Sequence, residues 1–182
     1  MPNLIETAAG LAAPVLNLPL IRRIRRNHGL EHATIHMLSR RVRGLKVAGY
    51  STHEGFILVG NPSTTEVTTA ANDALNRMRR GEDGLAIHPN CGTNLVTTAV
   101  LTTLAASAGM SSKRSGSDRL SLTFTLVVLA LVIGQPLGLL LQKHFTTSGQ
   151  PGELEIAHID KNEVTLPGGG KLTIHNITTR NG

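Results

Sequence analysis

The sequence contains no tryptophan, one tyrosine and three phenylalanines. Reading nucleic acid by stacking bases on aromatic side chains needs more rings than that, so no nucleic-acid partner is expected. A single cysteine excludes an intramolecular disulfide framework and leaves one thiol to be explained. Charged residues make up only 16% of the chain against a usual quarter, while apolar residues make up 40% and mean hydropathy is +0.02. That balance excludes intrinsic disorder. In 182 residues it fits a small domain joined to membrane-embedded helices.

What charge there is lies in one place. Residues 22–46 hold seven arginines, Lys46 and one acid, Glu31, for a net +7 against +6 for the whole chain. A basic run of this kind marks a nucleic-acid patch, a contact with anionic lipid, or the cytoplasmic flank of a membrane segment. The hydrophobic segments nearby favour the last two.

Leu120 to Gln142 has no ionisable residue and is long enough to cross a hydrocarbon core of about 30 Å as a helix. Leu95 to Met110 is also uncharged, but its Thr, Ser, Ala and Gly suit packing against another helix. With the short loop Ser111 to Arg119 the two are expected to form a transmembrane hairpin over residues 94–143. The first 21 residues are apolar but carry Glu6, Pro14, Asn17 and Pro19, and read as an interfacial or re-entrant segment. By the positive-inside rule residues 22–93 are expected to face the cytoplasm, with lipid as one partner, and the expected location is a bacterial inner membrane.

Arg25 to Arg43 is expected as a helix, Gly49 to Gly60 as a strand, and the stretch after Ser63 as an amphipathic helix begun by a Ser63–Glu66 capping box. Residues 150–182 alternate around a Pro-Gly-Gly-Gly turn and read as a small β-hairpin tail. The fold class is thus an α+β membrane protein: a cytoplasmic helix–strand–helix region, a helical hairpin, and a C-terminal β-hairpin.

Two motifs carry chemistry. In His28-Gly-Leu-Glu31-His32 the histidines stand one helical turn apart on one face, so both imidazoles reach one cation, and Glu31 lies beside them as a base. This is the inverted zinc-protease pattern, His-x-x-Glu-His. The alternative is a helix face with incidental histidines. His36 extends the row by a turn and is expected behind the ligands. In His88-Pro-Asn-Cys91 an imidazole and a thiol three residues apart in a turn form a chelate of the zinc-knuckle kind. A buried structural thiol, or a Cys91 nucleophile activated by His88, would read the same way.

Together His28, His32, His88 and Cys91 make the mixed nitrogen–sulfur set that Zn²⁺ prefers. Four protein ligands make a closed, structural site; three leave a position for water, which Glu31 would activate as general base. The expected function is therefore a zinc-binding membrane protein acting as a metal-dependent hydrolase or peptidase. The alternative is a non-catalytic subunit or assembly factor, partnered by other membrane proteins, with a structural metal. Lesser candidates are His53 and Glu54 in an exposed turn, His144, and a His158–His175 pair across the tail hairpin. The triple glycine at 168–170 lacks the setting and the lysine of a phosphate loop.

His-Gly-Leu-Glu-His followed by His-Pro-Asn-Cys-Gly-Thr before an apolar span resembles the YqhQ-like bacterial membrane proteins of unknown function, predicted metal-dependent enzymes. The likeness covers roughly residues 25–110 and implies equivalent roles for His28, Glu31, His32, His88 and Cys91. The strand–helix insert and the β-rich tail depart from that pattern.

Overall fold

The computed structural model describes residues 4–165 and 171–182. Its chain divides into two units, residues 1–88 with 143–182, and residues 89–142.

The first unit is a layer of helices on a four-stranded antiparallel sheet. Helix α1 (Leu4–Leu16) contains Pro14 and buries none of its residues. After a bend of 120° comes α2 (Pro19–Ser39), with proline at its first position, where a missing N–H costs nothing. From Asn27 to Leu38 nearly every residue of α2 is buried, so it is a central helix and not a surface one. The segment expected as one strand is a hairpin, β1 (Val47–Ser51) and β2 (Gly55–Gly60). Its tip is closed by the Thr52 N–H on the Gly55 carbonyl at 2.8 Å.

Helix α3 (Thr64–Arg79) starts at the expected capping box. The Ser63 hydroxyl accepts from the Glu66 N–H, and the Glu66 carboxylate accepts from the Ser63 N–H. Val67, Ala70, Ala74 and Met78 form its buried stripe. A short 3-10 helix, Asp83–Ala86, leads to His88.

The tail hairpin, β3 (Glu155–Thr165) and β4 (Lys171–Arg180), is not a separate appendage. β4 pairs with β2, giving the strand order β1-β2-β4-β3. The expected Pro-Gly turn lies outside the described residues. Phe56 and Leu58 of β2 and Ile177 of β4 share one core with Leu30, Ala33, Met37 and Leu38 of α2. This two-layer packing is why α2 is covered on so many sides.

The second unit holds α4 (Gly92–Met110) and α5 (Gly116–Leu141). They pack antiparallel with glycines at the close approaches: Gly109 on Thr123, Gly134 on Thr98 and Gly138 on Asn94. A buried hydrogen bond of 2.7 Å from the Gln142 amide to Asn94 Oδ1 adds to the contact. Among the described residues one helix is long and apolar enough to cross a membrane, Gly116–Thr146, at mean hydropathy 2.3 with 17% of its most apolar stretch buried. A core helix of a water-soluble protein would be mostly covered. The expectation of two spans is reduced accordingly, because the hydroxyl and small residues of α4 dilute its hydropathy. α1 and α2 pass the same test only as a bent pair.

Candidate metal centre

The row of side chains on α2 meets the segment after the 3-10 helix. The His28 and His32 ring centres are 4.4 Å apart, His32 and His88 are 5.8 Å apart, and His36 and His88 are 4.9 Å apart. Four imidazoles thus form a continuous line within the first unit. A ring nitrogen of His28 and one of His32 lie within 4.8 Å of each other, close enough for one cation to touch both.

The backbone decides which nitrogen each ring can offer. His28 Nδ1 donates to the Thr146 carbonyl at 3.0 Å and His32 Nδ1 to the Ala86 carbonyl at 2.8 Å. A carbonyl only accepts, so the proton sits on Nδ1 in both rings and the lone pair on Nε2. His36 is held the other way round, with Nε2 donating to the Ile87 carbonyl at 2.9 Å. One ring nitrogen tied to a carbonyl and the other presenting a lone pair is the usual arrangement around a ligating histidine. His88 is pushed down to about 4, first by burial and then by His36 and His32, so its ring is neutral at physiological pH. A neutral ring is the form that binds a metal.

Glu31 is 4% exposed and faces β1, where its carboxylate accepts a hydrogen bond from the Ser51 hydroxyl. Burial raises its pKa, while the Ser51 hydrogen bond and the neighbouring His28 pull it back down. Gly49 lies against the same carboxyl group: a Cβ there would stand 2.0 Å from Glu31 Oε1. Gly29, the second residue of the motif, has its own reason to be glycine. A Cβ would stand 2.1 Å from the Ser148 carbonyl, where the chain leaving the π-helical turn Gln142–Thr146 crosses α2.

That crossing is fixed by the basic run. Arg25 donates to the His144 and Thr147 carbonyls, and Arg23 to the Thr179 carbonyl. Half-burial lowers the Arg25 pKa from its usual value. Part of the expected lipid-facing charge therefore does internal structural duty; Arg22, Arg40, Arg41 and Arg43 stay exposed.

Cys91 belongs to the second unit, where it is buried and caps α4, its sulfur accepting from the Thr93 N–H at 3.4 Å. The Asn94 amide donates to the Pro89 carbonyl at 2.7 Å, fixing the turn before it.

The lesser candidates fall elsewhere. His53 and Glu54 sit exposed on the β1–β2 turn. His144 lies in the π-helical turn. His158 and His175 do not face each other: His158 is opposite Thr178, and His175 opposite Lys161. A register shift between Ile156 and His158 accounts for part of the offset. His158 pairs with Asp160 on the surface, and buried His175 meets the Thr64 hydroxyl.

Sequence reasoning missed Ser51, Gly49, Arg25 and the accepting carbonyls of Ala86, Ile87, His144, Thr146 and Thr147. Only Arg25 left a trace, as part of the basic run. A carbonyl is the same on every residue and leaves no signal.

The model of DUF6391, a domain of unknown function, matches residues 23–159. An uncharacterized protein of Picosynechococcus sp. (strain PCC 7002) is 36% identical over 151 residues, covering 76% of this chain and 72% of that protein. No solved structure matches.

Proposed function

The chain belongs to the DUF6391 family, and we propose that it is a membrane-anchored metalloprotein whose cation is held by His28 and His32 from α2, with His88 and Cys91 completing the set. The observation that carries this reading is the pair of backbone carbonyls that turn the lone pairs of His28 and His32 to Nε2. Any buried imidazole needs an acceptor for its N–H, but an incidental row has no need for both rings to keep the same nitrogen, Nε2, for a cation. Cys91 enters through the chain: it follows His88 by three residues, a reach of about 10 Å at full extension. Imidazole and thiolate together favour Zn²⁺. The motif resemblance to the YqhQ-like proteins rests on these same residues.

Zn²⁺, when bound, supplies a Lewis acid. What the chain supplies is a neutral His88, two imidazoles fixed in one tautomer, and a carboxylate at Glu31 beside them. The burial of Glu31 favours a second, hydrolytic reading. Ser51 holds Oε2 and Gly49 backs Oε1, so to take a proton from water the carboxylate would turn from β1 toward the imidazoles. A peptidase or another hydrolase acting at a membrane surface fits that role, and a structural metal in a membrane-protein complex remains the competing one. In this reading the centre lies on the cytoplasmic face of an inner membrane next to anionic lipid, which the exposed arginines support, with α5 as the anchor; α4 is its packed companion and a second span in the fuller version of this reading.

The test is elemental analysis of the full chain purified without chelators. About one transition-metal ion per chain is expected for the wild type. His32→Ala is expected to lose it, while His53→Ala keeps it. Metal-free wild-type protein would overturn the proposal. Glu31→Gln then separates the two readings, since a hydrolase keeps its metal and loses turnover, and a structural site loses neither metal nor assembly.

A further inference from the structure

The helical unit has a groove of about 440 Å³ lined by Pro89, Cys91, Asn94, Leu95, Leu131 and Gln135, among others. We infer that this groove holds an acyl segment of a membrane phospholipid, with the Gln135 amide donating to the ester carbonyl. The inference rests on the reading of α5 as a membrane span.

Gln135 is the first reason. Most of the threonine hydroxyls of the two helices are spent internally, Thr97, Thr102 and Thr103 among them. Thr123 and Thr125 bond the carbonyls of Arg119 and Ser121, and Asn94 is shared between Pro89 and Gln142. Gln135 is exposed and, among the described residues, its carboxamide has no hydrogen-bond partner. An uncommitted amide in an apolar helix is costly in hydrocarbon unless something meets it there.

Size and charge choose the occupant. The volume lies in the range of small-ligand sites. About one turn of a helix 10 Å across would fill it, so a partner helix would leave most of its length unseated. The lining carries no Asp, Glu, Lys or Arg, so an ionised headgroup finds no counter-charge there. Leu95, Leu131 and Thr98 offer apolar surface to methylenes, and Gln135 offers a donor to an uncharged carbonyl. That is the chemistry of the acyl-ester region of a lipid.

The experiment reconstitutes the full chain in vesicles of phosphatidylethanolamine and phosphatidylglycerol containing a phosphatidylethanolamine with a photoreactive diazirine in its acyl chain. After illumination, labelled peptides are mapped. Label is expected at Leu95, Thr98 and Leu131 above the outward-facing Val100 and Val132. Thr98→Phe, which fills the groove, is expected to cut groove labelling about tenfold, the loss for roughly two unburied methylenes. Gln135→Leu is expected to lower it as well, and Ala99→Phe, a matched bulky change at an exposed position, to leave it intact. Even labelling around α5, or groove labelling unchanged by Thr98→Phe, would overturn the inference while leaving the span in place. Absence of label anywhere on α5 would instead remove the membrane reading, and the inference with it.

Discussion

Replacing Gly49 by alanine tests the wall on which Glu31 rests. By backbone entropy alone, alanine in a strand is worth about 0.5–1 kcal/mol more than glycine. The structure predicts the opposite sign. The new Cβ would lie 2.0 Å from Glu31 Oε1 and 2.5 Å from its Cδ, against about 3.5–4.0 Å for ordinary contact. The carboxyl group has to retreat by more than 1 Å, on the order of the whole overlap, and gives up its Ser51 hydrogen bond. Losing a hydrogen bond to a charged group costs about 1.5–3 kcal/mol and overpacking about 1–3 kcal/mol, so a net loss of about 2–4 kcal/mol is expected. The assay is urea unfolding of the full chain in detergent, followed by circular dichroism with a chelator present so that metal linkage is constant. In a Glu31→Ala background the same substitution should become neutral or slightly stabilising, a coupling of at least about 1.5 kcal/mol. An alanine variant as stable as the wild type, or one equally destabilised in both backgrounds, would refute the reasoning.

Further outcomes follow from other parts of the chain. Ser63→Ala should cost about 1 kcal/mol through loss of the α3 cap, read by the same unfolding assay; the Glu66 carboxyl, held below its usual range by the Ser63 backbone N–H, contributes above its unfolded pKa and loses that contribution as pH falls through its folded value. His175 is held below its usual value by burial first and by Lys161 second, so the unfolded chain takes up that proton sooner. Stability should therefore fall as pH drops below about 6.5 and level off under the folded pKa, and His175→Gln should flatten that segment of the pH–stability curve. Gly138→Leu should lower helical-unit stability by about 1–3 kcal/mol, because its Cβ would stand 2.4 Å from Asn94 Oδ1 and 2.8 Å from the Asn94 Cα; thermal melting unchanged by the substitution would show the helices are not packed this way.

What the sequence announced was local. The Ser63–Glu66 spacing, the turn-by-turn histidines of α2 and the uncharged run of α5 each depend on neighbours within a few residues, and each lies where its pattern put it. What it hid was long-range. The turn at His53 and Glu54 was legible, but nothing in Gly49 to Gly60 says that the segments on either side of it pair as two strands, because no Asn-Gly or Asp-Gly pair marks a tight hairpin. Nothing in Lys171 to Arg180 says that its second edge is completed by β2. The surrounding of α2 was likewise unreadable: its spacing marked a helix, and only tertiary packing shows that Asn27, Glu31 and His32 are buried with its apolar residues. Asn27 stays satisfied there through the Thr52 carbonyl and the Thr179 hydroxyl.

The irregular backbone explains why His88, so far along the sequence, joins the histidine row of α2. Regular helices spend their carbonyls on their own N–H groups, whereas a segment leaving a helix has carbonyls to give. The 3-10 turn at Asp83–Ala86 releases those of Ala86 and Ile87, which accept from His32 and His36, one helical turn apart. The π-helical turn at Gln142–Thr146 supplies that of Thr146 to His28 and that of His144 to Arg25, and Thr147, the residue after it, supplies a second acceptor to Arg25. Both breaks are thus stitched to α2 by its own motif side chains, and the first of them delivers His88 to the row. Straightening either turn would withdraw the acceptors and release the imidazoles to either tautomer, with no histidine altered.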